Sequence, residues 1–156
     1  MKKSAGIIAY RTHNNSYQLF IEHMGGPYWA KKDEGAWSFP KGEYEEELPI
    51  KAAIREFREE TGVTVEEKDL FFVASIKQSS QKLVTMFACE TNFDAEKIIS
   101  NYFEMEWPPK SGTIQRFPEM DRGAWVSIPE AKRLLLKGQI KFIEKLEMIL
   151  EKTNTV

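Results

Sequence analysis

The residues Gly42-Glu43-Tyr44-Glu45-Glu46-Glu47-Leu48-Pro49-Ile50-Lys51-Ala52-Ala53-Ile54-Arg55-Glu56-Phe57-Arg58-Glu59-Glu60-Thr61-Gly62-Val63 decide the fold. Pro49 suits the first position of a helix and Gly62 suits its C-terminal stop, so a helix is predicted from Pro49 to Thr61. Ile50, Ala53, Ile54 and Phe57 fall on one stripe that faces a core. Glu56, Glu59 and Glu60 stand at i, i+3 and i+4 and share a face about 100° wide. Their stripe borders the apolar one, which puts the acids at the edge of a cleft. Ala52, one turn earlier, is too small to block it. Like charges at this spacing cost roughly 0.2–0.5 kcal/mol per pair. Arg55, four residues before Glu59, neutralises only part of that charge.

Carboxylates that converge without histidine or cysteine suit a hard divalent cation. Mg²⁺ prefers oxygen ligands, keeps several waters and takes further ligands from substrate phosphates. Such a cluster points towards phosphate chemistry, in which the metal polarises a phosphoryl oxygen and activates water. The bland alternative is a solvated acidic face laced with salt bridges. For Glu43, Glu45 and Glu46, which precede the helix, that alternative is preferred; for Glu56, Glu59 and Glu60 both readings stand.

Around this segment, Ser4 to Tyr10 and Tyr17 to His23 read as strands joined through the turn-rich Thr12–Ser16, with Tyr17, Leu19 and Ile21 on one face. Gly25 to Gly42 holds four glycines and two prolines and reads mostly as loop. Its aromatics, Tyr28, Trp29, Trp37 and Phe39, either cover a core or stack on a ligand ring. Leu70–Lys77 and Leu83–Glu90 are two further strands, Asp94–Ser100 a short helix capped by Asp94, and Ala124–Ile128 a short strand. Trp107–Gly112 is irregular, and Pro129–Leu136 and Gln139–Lys152 are helical, broken at Gly138. The last helix carries Ile140, Ile143, Leu146, Ile149 and Leu150 on one stripe. It packs on the sheet, or on a second copy in a homodimer, and the sheet is preferred. Strands and helices mix without regular βαβ units, which favours a mixed α+β (α/β) fold with helices flanking a mixed sheet.

Composition bounds the rest. The 156 residues fit one domain, 1–156, and 42% hydrophobic with 29% charged residues is an ordinary globular balance. Twenty-two basic against 24 acidic residues give a net charge of −2, which argues against binding nucleic acid by bulk charge. No apolar run approaches the ~20 residues of a membrane helix, and the N-terminal segment does not read as a signal peptide. The lone Cys89 excludes an internal disulfide and a cysteine zinc cluster, and His13 and His23 are too few for a histidine-rich metal site. The expected setting is soluble and cytoplasmic.

The acidic segment resembles the signature of the Nudix hydrolases. That pattern is Gly, five residues, Glu, seven residues, Arg-Glu-apolar, one residue, Glu-Glu, one residue, Gly-apolar. Here Glu47, seven residues, Arg55-Glu56-Phe57, one residue, Glu59-Glu60, one residue and Gly62-Val63 match it throughout. The departure is that four residues, not five, separate Gly42 from Glu47, a one-residue deletion ahead of the helix that bears on where the Gly42 carbonyl stands. Gly25–Asp33, Trp37–Gly42, Phe103–Pro109 and Phe117–Arg122 resemble one subgroup, the NTP pyrophosphohydrolases of unsettled substrate, so the resemblance covers nearly the whole chain.

The resemblance implies an α/β/α sandwich and Mg²⁺-dependent hydrolysis of a diphosphate linkage in a nucleoside diphosphate-X or NTP-like small molecule, with Mn²⁺ able to substitute. It implies Glu56, Glu59 and Glu60 as metal ligands, the Gly42 carbonyl as another, Arg55 as the residue that orients the helical acids, and Glu47 as a support of the loop. Glu119, six residues before Trp125, resembles the distal acid of many members, as metal ligand or general base; Glu104 and Glu106 are weaker candidates. Fifteen to 18 residues after Gly62 stands Lys77-Gln78-Ser79-Ser80, with neither the proline of the ADP-ribose subfamily nor the tyrosine frequent in the diadenosine polyphosphate subfamily. Lys77 and Lys82 read as solvated edge charges before phosphate contacts, and Trp29, Trp37, Phe103 and Trp107 as packing or base-stacking groups. The rival reading is a catalytically inactive Nudix-fold module that binds nucleotide or regulates. Such modules typically lose one of the helical acids, and all three are present.

Overall fold

The computed structural model describes residues 1–154; Thr155 and Val156, the end of the expected 1–156 domain, lie outside the described residues. Strand β1 (Lys2–His13) is central. It pairs antiparallel with β2 (Ser16–Met24) across a turn at Asn14 and Asn15, whose φ angles are 51° and 64°. Two successive residues at positive φ make the tight turn that matches strand twist, and asparagine tolerates that region. The strands therefore run closer to the turn than the polar Thr12–Ser16 run suggests. The first half of β1 pairs with β4 (Lys41–Tyr44), and its other edge pairs in parallel with β6 (Lys82–Glu90), which pairs with β5 (Phe71–Ser79). The short β3 (Trp37–Ser38) and the longer β9 (Met120–Ser127) both pair with β2. Together they form a seven-stranded mixed sheet among the described residues.

Helices cover both faces. Helix α1 (Pro49–Thr61) closes in Gly62 at φ 79°, whose N–H donates to the Arg58 carbonyl at 2.8 Å, so its bounds are those read from Pro49 and Gly62. Its Ala52, Ala53 and Phe57 are buried with Ala5, Ile7, Ala9 and Phe20 on one sheet face. On the other face α2 (Ile128–Leu134) and α3 (Ile140–Asn154) bury Leu134, Phe142, Ile143, Leu146 and Leu150 with Ile8, Leu19, Ile21, Val73 and Met86. The apolar stripe of α3 thus lies on the sheet. Burial on both faces explains why β1 reads as a near-continuous apolar run instead of alternating. No helix among the described residues is long and apolar enough to cross a membrane.

One segment differs from expectation, and one hairpin was not anticipated. Asp94–Ser100 forms only a 3-10 turn, Ala95–Lys97, although the Asp94 side chain does accept the Glu96 N–H at 2.9 Å. Trp107–Gly112 is the loop of a hairpin that the sequence pattern does not reveal, between β7 (Tyr102–Glu106) and β8 (Ile114–Pro118). This hairpin stands apart from the main sheet: β7 alternates half-buried Phe103 and Met105 with exposed Tyr102, Glu104 and Glu106, but it is only five residues long and its partner β8 does not alternate. Among the loop aromatics, Trp37 and Phe39 are buried in the core, Trp29 packs against it, and Tyr28 is exposed with its ring edge-on to Trp107 at 5.2 Å.

Candidate active site

The C-terminal half of α1 packs over the β4 loop, and the contact is backbone-close. A methyl group on Gly42 would meet the Glu56 carboxyl group, so a larger residue there would displace that side chain from its present position. Arg55 braces the acids. Its Nη2 donates to Glu47 Oε1 at 2.7 Å, its Nε to both Glu47 oxygens at 3.1 and 3.0 Å, and its Nη1 to Glu56 Oε1 at 2.8 Å. The same Nη1 reaches both Glu59 oxygens at the longer 3.4 Å. The hydrogen bond from Arg55 holds the Glu47 carboxyl below its usual range, and Glu47 in return keeps the guanidinium firmly charged. One guanidinium thus ties the loop acid to two helical acids, a geometry that a lysine point charge does not reproduce.

Glu60 lies deeper. It is 4% exposed, and its Oε2 accepts the Lys41 backbone N–H at 3.2 Å. Burial, then the Glu56 and Glu119 charges, push its carboxyl up to about 8. Glu56 is raised as well, by burial first, against the lowering pull of Arg55. Glu119 is the single residue between β8 and β9 and is exposed. Its peptide is pinned on both sides: its N–H donates to the Asn101 carbonyl, and its carbonyl accepts the Gly25 N–H, each at 2.8 Å. Its charge raises both Glu56 and Glu60. The basic neighbours are engaged elsewhere, Arg116 over the Tyr102 ring at 4.2 Å and Arg122 on Asp121 at 3.3 Å. Glu106 accepts the Lys110 N–H in the hairpin loop, and Glu104 pairs across from Arg116.

Glu22 completes the group. It is fully buried on β2, and neither carboxylate oxygen has a hydrogen-bond partner. Burial, and next the Glu60 charge, raise its carboxyl well above the usual range. The sequence pattern does not single out Glu22, because alternation along β2 assigns the core to Tyr17, Leu19 and Ile21 and leaves the opposite face to solvent. That face is instead buried: Phe20 packs on Phe93 and Trp125 in the cluster that also holds Phe57 of α1. Its neighbour His23 is also buried, with Nε2 donating to the Lys32 carbonyl at 2.6 Å and Nδ1 2.8 Å from Asp121 Oδ1, and so ties the glycine-rich loop to β9.

As they stand, no three His, Cys, Asp or Glu side chains among the described residues are arranged to hold a metal ion. Arg55 Nη1 is hydrogen-bonded to Glu56 and Glu59 in this arrangement. The donor set still fits a hard divalent cation, since it is all oxygen, acidic, and includes a buried carboxylate with nothing to compensate it.

The NUDIX domain profile matches residues 2–146. The chain belongs to the Nudix family. Solved Nudix-fold structures agree over nearly its whole length. A C. elegans Ap4A hydrolase binary complex superposes with a TM-score of 0.65 at 18% identity, covering 97% of this chain and 99% of that one. A Listeria monocytogenes protein assigned to the NUDIX hydrolases gives 0.65 at 21%, covering 99% and 97%. The NUDIX domain of Shewanella oneidensis NrtR, complexed with ADP ribose, gives 0.64 at 11%, covering 95% and 87%. At these identities the likeness is one of fold. No curated protein sequence matches the chain.

The buried acids predict a stability slope. A carboxyl whose folded-state pKa lies above its ordinary 4.5 holds its proton more tightly when folded, so folding is favoured at low pH and loses that contribution as pH rises to about 8. Glu60 and Glu22 act in the same direction. The metal-free Nudix chain should therefore lose stability from pH ~5.5 to pH ~8, with a slope of up to about 1.4 kcal/mol per pH unit from one such group. Urea unfolding in chelator across that range checks it. Glu60→Gln should flatten the slope, and a metal-free wild type equally stable at both ends would contradict the assignment.

Proposed function

We propose that this Nudix chain, acting as one domain over 1–156, hydrolyses a diphosphate linkage in a nucleoside diphosphate-X or NTP-like small molecule, with Mg²⁺ as cofactor and Mn²⁺ able to replace it. The observation that carries the reading is that Glu60, buried and held by the Lys41 N–H, has its carboxyl raised by burial and then by the charges of Glu56 on the same helix and of Glu119 at a distant strand junction. Three acids held together without a matching number of cations suit a site that gains its positive charge on binding. Gly42, Glu56, Glu59, Glu60 and Glu119 would hold the metal, Gly42 through its carbonyl. When bound, Mg²⁺ supplies charge neutralisation for the diphosphate and lowers the pKa of the attacking water.

The protein's own groups do the rest. Arg55 fixes the orientation of Glu56 through Nη1 and anchors the loop through Glu47. Gly42 lets the Glu56 carboxyl lie against the strand. Among the described residues no ion pair engages Glu119, which would take a proton from water or bind metal. Beside it opens a cleft of about 270 Å³ lined by Gly26, Tyr28, Trp29, Phe103 and Met105, where an aromatic face suits a nucleobase. Gly25 connects the two, since its N–H binds the Glu119 carbonyl. A cytoplasmic setting belongs to the same proposal, supported by Cys89 being a buried free thiol.

A panel of dNTPs with oxidised bases, dinucleoside polyphosphates, nucleotide sugars, ADP-ribose and diphosphoinositol phosphates, assayed with Mg²⁺ and Mn²⁺, tests the reading. At least one should be cleaved, and chelation should abolish the cleavage; tight binding of a nucleotide without turnover would instead make the chain a binding module. Glu60→Gln should lower kcat by orders of magnitude and Glu45→Gln should do little, because Glu45 is exposed and outside the cluster. Equal losses would sink the assignment. Glu119→Gln should cut kcat strongly and KM much less, since the lost interaction belongs mainly to the transition state. Near-normal turnover there, with a collapse in Glu104→Gln or Glu106→Gln, would move the fourth acid to the hairpin.

A further inference from the structure

Glu22 is the anomaly of the fold. Its side chain is fully buried, and among the described residues no other buried side-chain oxygen or nitrogen lacks a hydrogen-bond partner. A carboxyl group stripped of water normally recovers hydrogen bonds from its surroundings or pairs with a cation. Glu22 has neither. Its position is set by the strand: in β2 it is paired with Ser38 of β3 on one side and Gly123 of β9 on the other. It shares a face with Phe20, which packs in the cluster that α1 closes with Ala52, Ala53 and Phe57. It therefore lies on the sheet face that carries the α1 cluster, near enough to Glu60 for that charge to act on it. The chain from Ser38 to Lys41 links the two, since Ser38 pairs with Glu22 and the Lys41 N–H binds Glu60.

We infer that Glu22 is a further metal-binding residue of this site, contributing a strand carboxylate that shares one divalent cation with Glu60 at the buried end of the cleft. The inference rests on the reading of the α1 acids as metal ligands. A cation between the two would compensate both buried carboxylates and give the Glu22 oxygens the partner they lack. Such a ligand lies outside the helical signature and its loop, so no motif reports it. Arg55 cannot perform this task, because it is committed to Glu47, Glu56 and Glu59 on the outer side of the helix. The backbone N–H of Lys41 supplies only one hydrogen bond, and it goes to Glu60. The arrangement as it stands is not a finished cage, so binding draws Glu60 and Glu22 together from a repelled state.

The test reads binding, not turnover. Mn²⁺ is titrated into the full chain without substrate, with free Mn²⁺ followed by its electron paramagnetic resonance signal, for wild type, Glu22→Gln, Glu22→Asp and Glu60→Gln. Circular dichroism melting in chelator first establishes that each variant folds. Glu22→Gln should lose one bound Mn²⁺ or bind at least tenfold more weakly, and its melting temperature should rise less on adding Mn²⁺. Glu22→Asp keeps the charge one methylene further back and should also weaken binding, which serves if Glu22→Gln fails to fold. Wild-type affinity and stoichiometry in the Glu22 variants, beside weakened Glu60→Gln, would overturn the role of Glu22 alone and leave its carboxyl simply protonated. Wild-type binding in Glu60→Gln as well would overturn both the inference and the metal reading beneath it.

Discussion

Repulsion between carboxylates forced into one cleft is the constraint on which the rest of this structure depends. Burial raises the carboxyls of Glu56 and Glu60, the Glu119 charge adds to both, and the Glu22 oxygens have no hydrogen-bond partner among the described residues. Nothing about that arrangement is favourable in isolation. It persists because the elements that carry the acids are fixed by other forces. Phe57, fully buried, holds α1 to the sheet with a contribution of about 1.5–3 kcal/mol for a side chain of its type. β2 is hydrogen-bonded along both edges, so Glu22 has no way to swing out. Arg55 relieves the outer acids, while the inner Glu60 is relieved only in part by the Lys41 N–H and the Lys41 charge. The charge imbalance is therefore built in, and it defines what the site accepts.

Close backbone approach is the second requirement, and glycine meets it at two points. At Gly42 the strand lies against the Glu56 carboxyl group, and at Gly25 the loop lies against the Pro118 carbonyl and receives the Glu119 carbonyl on its N–H. These contacts bring a helix, a loop and the β8–β9 junction to one cleft. The buried His23, held between Lys32 and Asp121, fastens the same loop from beneath. The site is thus assembled from pieces far apart in sequence, while each piece is locally rigid.

Much of this was legible in the chain. Pro49 and Gly62 mark the limits of α1 because both are backbone constraints with few alternatives, and the spacing of Glu56, Glu59 and Glu60 follows from helix geometry. Glu119 resembles the distal acid by its distance from Trp125, and it is the lone residue between two strands. What was not legible depends on tertiary cover. Glu22 reads as a solvent-facing residue until that face is known to be buried. In the β7–β8 hairpin only the five residues of β7 alternate, and β8 does not, so the pair carries too short a pattern to mark it. The extent of Asp94–Ser100 was overread because a good cap, Asp94, is present without an apolar face long enough to sustain a helix beyond Lys97.

The central claim is that the buried acids form one cation site at the end of α1. Anomalous diffraction from crystals of the active protein soaked in Mn²⁺ tests it most directly. The account predicts a strong peak among Glu56, Glu60 and the Gly42 carbonyl, with the Glu56 carboxylate drawn away from Arg55. Crystals of a Mn²⁺-dependent, active protein that show Mn²⁺ only on the outer surface, with Glu56 still held by Arg55, would contradict it.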